Sequence, residues 1–316
     1  LTLAELEDRS VEIETAVDAT AGIDHWCSGP DWTFSVRRGF APSSEMLALE
    51  RDGSFALLSA HPIETGGRMF AGFEPLWGFA CPLIGRSIEV PAEAVAHRLG
   101  AEPNWDRLVL PGFPEDLELA RRAAGPLSQL GPVGGMTGIV RQVARLDGFD
   151  AWLGRRPRTV RRNLRNATRR ADDAGLRIID ASAEDHLFER LLAIEYSSWK
   201  GAEGDGITTE HMGEFYRHLT TRLQERDRCR CLVAQVDGSD VGFILGGVRH
   251  GRYRGLQLSY SSRVSHLSIG HLLQLHQIRL LCDEGIGSYD LGMDMPYKEA
   301  WADHTEASVT LVVERA

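Results

Sequence analysis

Residues 253–273 read YRGLQLSYSSRVSHLSIGHLL, and this stretch decides the fold. Its first part alternates in the manner of a strand, and a helical pattern then runs from about residue 270 to 284. A strand pattern at 288–291 follows the helix, and a connection of this length permits a parallel crossover. The stretch therefore predicts two parallel strands of one sheet, joined by a helix.

The segments before this stretch extend the same sheet. Strand-like runs at 231–236 and 241–248 are joined to each other and to the run at 253–260 by short turns, which predicts antiparallel neighbours. Further upstream the predicted elements are an arginine-rich helix at 157–174, a strand at 176–179, and helices at 184–199 and 209–225.

Residues 1–149 are predicted to form a first mixed α/β domain, and residues 150–316 a second. Within the first domain, Asp52-Gly53 lies between two apolar runs, which is a strong hairpin signal. The glycine-rich stretch 134–138 is predicted as a turn, because it lacks the lysine and the strand-to-helix context of a phosphate loop.

The two halves of the chain differ in charge. Residues 1–150 carry 12 basic and 22 acidic side chains, whereas residues 151–316 carry 23 of each. The first half is therefore expected to repel nucleic acid. In the second half, residues 155–170 contain eight arginines and no acidic residue. This run is either a docking surface for an anion or a solvated helix face.

Composition indicates the compartment. The five cysteines are an odd number and sparsely placed, which favours reduced thiols. No apolar run approaches the roughly 20 residues that span a bilayer, and residues 1–8 lack the layout of a secretory signal. Cys229 and Cys231 have no partner at zinc-ligand spacing. We therefore predict a cytoplasmic protein with no metal site and no membrane partner.

Lysine is almost absent from the chain. The 35 basic residues include only two lysines, Lys200 and Lys298, and each follows an aromatic residue, Trp199 or Tyr297. We attribute the shortage to the base composition of the genome. The two exceptions reflect either chance or chemistry, because an ammonium group can lose its proton when it is desolvated and a guanidinium group does not.

The start of the helix near residue 270 has the composition of an anion site. Ser268 is a favourable N-cap residue, and Gly270 has no side chain that would block a ligand from the first-turn amides. Exposed amides and the positive end of the helix dipole suit a pyrophosphate. Most such helix starts bind nothing, but the position between a three-strand meander and a parallel strand strengthens this signal.

Five motifs together suggest a family. They are RRNLR at 161–165, EYSSWK at 195–200, SIGHLL at 268–273, DLG at 290–292 and YKEAW at 297–301. With them, residues 150–313 resemble the catalytic domain of the GNAT superfamily of acyltransferases. The resemblance is to the CelD-like double-domain group in particular, which is similar to the Fem-type aminoacyl transferases. Residues 1–149 resemble a degenerate GNAT half.

The resemblance implies two tandem α/β domains, each with a mixed, mostly antiparallel sheet flanked by helices. It implies acyl transfer from acetyl-CoA or another acyl-CoA to the amine of a small molecule, in a cleft between the two halves. Leu258, Ser259 and Tyr260 would form the strand edge that pairs with pantetheine. The pyrophosphate turn would be Ser268, Ile269, Gly270, His271 and Leu272. This turn departs from the usual GNAT loop, because it has no second glycine.

Acyl transfer also needs residues that handle protons. The attacking amine must be neutral, and the leaving thiolate needs a proton. The candidate bases, acting directly or through water, are Glu195, Asp290 and Asp294. Tyr297 is the candidate acid, with a packed aromatic role as the alternative.

Four side chains are candidates for binding the substrate. They are Lys298, Lys200, Trp199 and Trp301. Lys298 is expected to bind an acidic group rather than to act as a base, because a base would need strong desolvation. A core position is the alternative for Trp301.

Two other functions compete with the acyl-CoA reaction. Fem-type relatives have a similarly altered turn and use aminoacyl-tRNA, and the arginine run at 155–170 favours such a donor. A non-catalytic acyl-CoA-binding module is the third interpretation, because fold alone does not establish turnover.

Overall fold

The computed structural model describes residues 1–64 and 66–316, which form two compact units. The N-terminal unit comprises Leu1–Val140 and Ala307–Ala316, and the C-terminal unit comprises Arg141–Glu306. The second domain was predicted to extend to residue 316, whereas Ala307–Ala316 belong to the N-terminal unit and their strand pairs with residues 107–114.

The helices and strands, in chain order, are α1 (Leu3–Asp8), α2 (Ser10–Ala19), α3 (Pro30–Phe40), β1 (Met46–Arg51), β2 (Ser54–Pro62), β3 (Arg68–Gly72), β4 (Leu83–Ile84), α4 (Glu89–Gly100), β5 (Arg107–Pro114), α5 (Glu118–Leu127), β6 (Val133–Arg145), α6 (Phe149–Gly154), α7 (Arg158–Asp173), β7 (Arg177–Asp180), α8 (Leu187–Tyr196), α9 (Trp199–Glu203), α10 (Glu210–Glu225), β8 (Cys229–Val236), β9 (Ser239–Arg249), β10 (Arg252–Tyr260), α11 (Ile269–Asp283), β11 (Ser288–Met293) and β12 (His304–Glu314). None of the helices among the described residues is long and apolar enough to cross a membrane.

The two units share one order of elements. In the N-terminal unit, β1, β2 and β3 are antiparallel neighbours, and β5 follows α4 and pairs parallel to β3. In the C-terminal unit, β8, β9 and β10 are antiparallel, and β11 follows α11 and pairs parallel to β10. The predicted mixed, mostly antiparallel sheets are therefore confirmed, as is the hairpin at Asp52-Gly53.

Two local predictions were wrong. The glycine stretch 134–138 lies within β6 and is not a turn. A side chain at Gly138 would meet Ser308 Oγ at 2.5 Å, so the glycine allows a close approach between strands. The predicted helix 184–199 is divided into α8 and α9. Ser198 is extended between them, and its hydroxyl accepts a hydrogen bond from the Gly201 amide, which starts α9 as an N-cap.

The strands β10 and β11 separate soon after they pair. Their parallel register covers only Arg252–Arg254 and Ser288–Asp290, and β10 then continues to Tyr260 without β11 beside it. The register of β10 against β9 shifts between Gly255 and Gln257 at the same point. The carbonyls of Leu256 and Leu258 accept hydrogen bonds from Tyr216 and Lys200 side chains. Side-chain donors thus satisfy backbone acceptors beyond the point of separation.

Gly255 is required where the strands separate. A Cβ atom there would lie 2.8 Å from the ring of Tyr289, which is buried. We expect Gly255→Ala to lower the free energy of unfolding by about 1–3 kcal/mol through overpacking. Denaturant unfolding measures this, with Gly125→Ala as the comparison, because a Cβ atom at Gly125 meets nothing within 4 Å and its backbone is not left-handed. A Gly255→Ala protein as stable as the wild type would contradict the packing at this point.

Candidate active site

A cavity of about 310 Å³ lies where β10 and β11 separate. We call it the strand cavity. The predicted pantetheine edge, Leu258, Ser259 and Tyr260, lines it, and so do Trp199 and Tyr297. Both lysines of the chain also line it. The structure therefore brings together side chains that lie about 100 positions apart in the sequence.

The side chain of Lys200 lines the strand cavity. Its ammonium nitrogen donates to Gln257 Oε1 at 2.8 Å and to the Leu258 carbonyl at 3.0 Å. Burial lowers the pKa of Lys200, and the nearby carboxylates of Glu195 and Asp205 act against that shift. Lys200 thus occupies the backbone carbonyl of Leu258, which belongs to the strand edge that was predicted to pair with pantetheine.

Lys298 is the second ammonium group of the cavity. It donates to the Met293 carbonyl at 2.9 Å. Burial lowers its pKa to about 8, and the positive charge of Arg254 contributes to this. The desolvation that the sequence analysis considered necessary for a base is therefore present, and a role in proton exchange is open to this residue as well as the binding of an acidic group.

The carboxylate of Asp290 is completely buried among arginines. Its Oδ2 atom accepts from Arg254 at 2.7 Å, from Arg252 at 2.8 Å and from Arg141 at 3.0 Å. Its Oδ1 atom accepts from the Gly292 amide at 2.8 Å. These partners hold the pKa of Asp290 well below its usual range, although burial alone would raise it. This geometry argues against the predicted role of Asp290 as a base, because the carboxylate neither takes up a proton near neutral pH nor reaches a substrate.

The other two candidate bases differ in exposure. Glu195 is completely buried, and its Oε1 atom has no hydrogen-bond partner in the part of the chain that the structure describes. A side chain at Gly206 would lie 2.3 Å from that atom, so the turn after α9 covers it. Asp294 is exposed and accepts from the amide of Gln142. Of the three predicted bases, Asp294 is thus the exposed one, and it lies outside the set of residues that line the strand cavity.

The aromatic candidates fall into two groups. Tyr297 is 68% exposed and Trp199 is 51% exposed, and both line the strand cavity. Burial nevertheless raises the pKa of the Tyr297 hydroxyl, so this group keeps its proton. Trp301 is buried and stacks on Trp152 and on His271, each at 5.8 Å between ring centres. Trp301 is therefore a core residue, as the alternative interpretation held.

A second cavity of about 350 Å³ lies beside the start of α11. It is lined by Ser268 and His271 of the predicted pyrophosphate turn and by residues of α7, among them Arg170. Ser268 occupies the N-cap position but in the left-handed conformation, and its side chain does not cap the helix. Instead its hydroxyl accepts a hydrogen bond from Arg170 at 3.1 Å. The predicted N-cap position is therefore confirmed, although the Ser268 side chain makes no capping hydrogen bond among the described residues.

The rest of the predicted turn presents backbone rather than side chains. Ile269 and Leu272 are buried. A side chain at Gly270 would lie 3.1 Å from the Tyr260 ring and 3.2 Å from Leu258, so the glycine allows β10 side chains to pack on the helix. The first turn of α11 contains no acidic residue. Its leading amides have no acceptor within the helix, as at any helix start.

The arginine run has two parts. Arg155 and Arg156 are held by Asp303, and Arg155 also by Asp147. The other six arginines of the run form no ion pair with any described residue: Arg158, Arg161, Arg162, Arg165, Arg169 and Arg170. All six lie on α7. The sequence analysis anticipated the unpaired surface but not the two structural arginines.

Sequence reasoning missed the arginines around Asp290. Arg252 and Arg254 alternate at the start of β10, which places them on one face of the strand. The predicted strand began at residue 253, and starting it one residue earlier would have revealed this spacing. Arg141 has no such signal. It comes from a strand that lies far from Asp290 in the sequence, and only the pairing of β6 with β11 brings it close.

Residues 158–299 match the acetyltransferase (GNAT) domain family. Among solved structures, FemX has a TM-score of 0.68 at 12% identity and covers 95% of each chain. L-PGS from Bacillus licheniformis has a TM-score of 0.59 at 13% identity, over 90% of this chain and 91% of that one. A tandem GNAT protein from the clavulanic acid biosynthesis pathway has a TM-score of 0.51 at 14% identity, over 97% and 95%. No curated protein matches the chain.

The family match covers 142 of the 316 residues, so it assigns residues 158–299, and not the whole chain, to the acetyltransferase (GNAT) domain. Over its full length the chain shares its fold with FemX and with the tandem GNAT structure.

Replacing the buried carboxylate tests its structural role. We expect Asp290→Asn to lower the free energy of unfolding by about 3–5 kcal/mol, because it removes the buried negative charge that Arg141, Arg252 and Arg254 share. The loss should be full above about pH 4 and should shrink as the pH falls, because a carboxylate with a lowered folded-state pKa stabilises only while it is ionised. Denaturant unfolding measures both effects. A loss no larger than that of the exposed control Asp294→Asn would contradict this role.

The two lysines offer a direct test of desolvation. Protein labelled with ¹³C at lysine should give two side-chain signals, both titrating below the ordinary value of 10.5, with the pKa of Lys298 at about 8. The signal that disappears in the Lys200→Gln variant belongs to Lys200, and the remaining signal belongs to Lys298. Because the folded pKa is lowered, the free energy of unfolding of the wild type relative to Lys298→Gln should rise between about pH 8 and pH 10.5. A Lys298 signal that titrates at 10.5 would show that the ammonium group is solvated.

Proposed function

We propose that the chain is an N-acyltransferase that moves an acyl group from acetyl-CoA or another acyl-CoA to the amine of a small molecule. The observation that carries this proposal is the separation of β10 from β11 next to the start of α11. An extended thioester arm fits between the separated strands. Its amide groups can form hydrogen bonds with backbone groups of β10 that are not paired with β11.

In this proposal the pantetheine arm lies along Leu258–Tyr260 in the strand cavity. Lys200 must then release the Leu258 carbonyl, which it holds at 3.0 Å in the ligand-free chain. The pyrophosphate lies at the amides of Ile269 and Gly270, where the helix dipole favours an anion. The unpaired arginines of α7 are the nearest source of further positive charge, because Arg170 already contacts Ser268.

The reaction forms a C–N bond and breaks the C–S bond of the thioester. The acceptor amine first loses the proton of its ammonium form, and Asp294 is the exposed carboxylate that can accept it. After the neutral amine attacks, its nitrogen must lose one more proton and the leaving thiolate must gain one. Tyr297, whose hydroxyl keeps its proton, can donate that proton to the thiolate and recover one from the nitrogen. Lys298 positions a substrate group in the cavity.

An aminoacyl-tRNA donor is the second candidate. It is supported by the six unpaired arginines of α7 and by the fold shared with FemX. It predicts tRNA binding that weakens steeply with salt, because phosphate contacts release counterions. A non-catalytic acyl-CoA-binding module is the third candidate, and it predicts thioester binding without transfer to any amine.

Donor binding and one conservative variant test the proposal. We expect acetyl-CoA or a longer acyl-CoA to raise the melting temperature and to release free thiol in the presence of an amine panel. Lys298→Arg should reduce transfer at least about tenfold with little loss of stability, because a planar guanidinium does not fit the place of a compact ammonium group. Arg177→Gln, at an exposed position on β7, is the matched control.

The results separate the three candidates. Failure of every thioester to bind would contradict the acyl-CoA reaction, and salt-dependent tRNA binding that is weakened by Arg162→Gln and Arg165→Gln would favour the second candidate. Full activity of Lys298→Arg with a retained fold would contradict the role of Lys298.

A further inference from the structure

The strand cavity has an unusual set of charges. Fifteen residues line it, and both lysines of the chain are among them. The other lining residues include no aspartate, glutamate or arginine. The wall thus carries two positive charges and no negative one.

The hydrogen-bond donors of this wall are only partly used. An ammonium group has three N–H donors. Lys200 uses two of them, on Gln257 and Leu258, and Lys298 uses one, on Met293. Every one of these acceptors is uncharged. Within residues 1–64 and 66–316, neither ammonium group forms an ion pair.

A buried hydroxyl adds to this excess of donors. Ser259 is 2% exposed and lines the same cavity. Its Oγ atom is buried without a hydrogen-bond partner among the described residues. Buried polar groups are normally satisfied, so an orphan hydroxyl in a cavity wall indicates a missing acceptor.

We propose that the strand cavity binds a carboxylate, carried by one of the two substrates, between Lys200, Lys298 and Ser259. This inference rests on the proposed transfer reaction and narrows its substrate class to carboxylate-bearing molecules. The carboxylate comes either from an acyl chain that ends in a second carboxyl group or from an acceptor that is an amino acid.

A carboxylate fits this wall better than a phosphate. The remaining walls include the apolar side chains of Ile244, Leu256 and Leu291. A phosphate dianion placed there would need more donors than two ammonium groups and a hydroxyl provide, and proteins usually supply them with arginine forks or backbone amides. A single carboxylate needs fewer donors and neutralises only one charge.

The retention of lysine supports the same inference. Arginine carries the positive charge at every other basic position of the chain. An ammonium group is compact and donates in three directions, so it can hold a carboxylate and a backbone carbonyl at once in a narrow space. Both exceptions lie in one cavity, which is the pattern expected from a shared ligand.

A direct binding experiment tests the carboxylate site without any thioester. The ¹³C-lysine signals of the wild type are titrated in the presence of succinate, glycine or acetate, with succinamide as the uncharged match for succinate. We expect at least one carboxylate to raise the pKa of a lysine and to shift its signal saturably, whereas succinamide does neither. Equal effects of succinate and succinamide, or no effect of any carboxylate, would overturn the proposal.

Matched substrates then identify which partner carries the carboxylate. Succinyl-CoA is compared with butyryl-CoA, which has the same chain length, and glycine is compared with glycinamide. We expect about a tenfold or greater preference for the carboxylate in one of the two pairs. The preference should be lost in Lys200→Gln or Lys298→Gln and kept in Arg177→Gln. No preference in either pair, or a preference that both glutamine variants retain, would overturn the proposal.

The two experiments separate this inference from the proposed function. If carboxylates bind the lysines but no thioester binds, the carboxylate site stands and the acyl-CoA reaction falls. If thioesters bind and are consumed without any effect of the carboxylate, the reaction stands and the site falls.

Discussion

The buried carboxylate of Asp290 is the interaction on which the candidate site depends. It receives hydrogen bonds from Arg141 of β6, from Arg252 and Arg254 of β10, and from the backbone of β11 itself. Three strands are thereby joined at the last residue pair before β10 and β11 separate. Strands that part usually leave backbone groups unpaired, which costs stability. The hydrogen bonds to Asp290 hold the three strands together next to the point where β10 and β11 separate. The two strands can therefore stay apart beyond that point while the rest of the sheet stays paired.

The same arrangement sets the electrostatics of the cavity. Arg254 contributes to the low pKa of Lys298, and burial contributes more. Burial also lowers the pKa of Lys200, and the carboxylates of Glu195 and Asp205 act against this shift. The charges of Asp290 and Asp294 act against the shift at Lys298, but neither ammonium group forms an ion pair among the described residues. The carboxylate that we propose for this cavity would offset part of the cost of burying the two ammonium groups.

The order of elements was predictable from the sequence, and the site was predictable only in part. Hydrophobic periodicity located the three antiparallel strands, the helix and the parallel strand, because each of these signals is local. The lysines and Tyr297 could be selected by composition and motif. Their meeting in one cavity could not, nor could the burial of Asp290, because both depend on register between distant strands. The wrong prediction of a turn at residues 134–138 has the same origin. The local sequence is typical of a turn, but the close approach of Gly138 to Ser308 on another strand places these residues in β6.

The repeated topology explains why one helix start, and not both, suits an anion. Helix α4 occupies in the N-terminal unit the place in the order that α11 occupies in the C-terminal unit. The first turn of α4 contains Glu89, which is bound by Arg122 and by Ser87. A carboxylate at that position already uses the favourable end of the helix dipole and repels a second anion. The first turn of α11 has no acidic residue and begins with Ile269 and Gly270, so its dipole is unopposed. The two units thus share an order of elements but differ in charge at the helix start where we propose that the pyrophosphate lies.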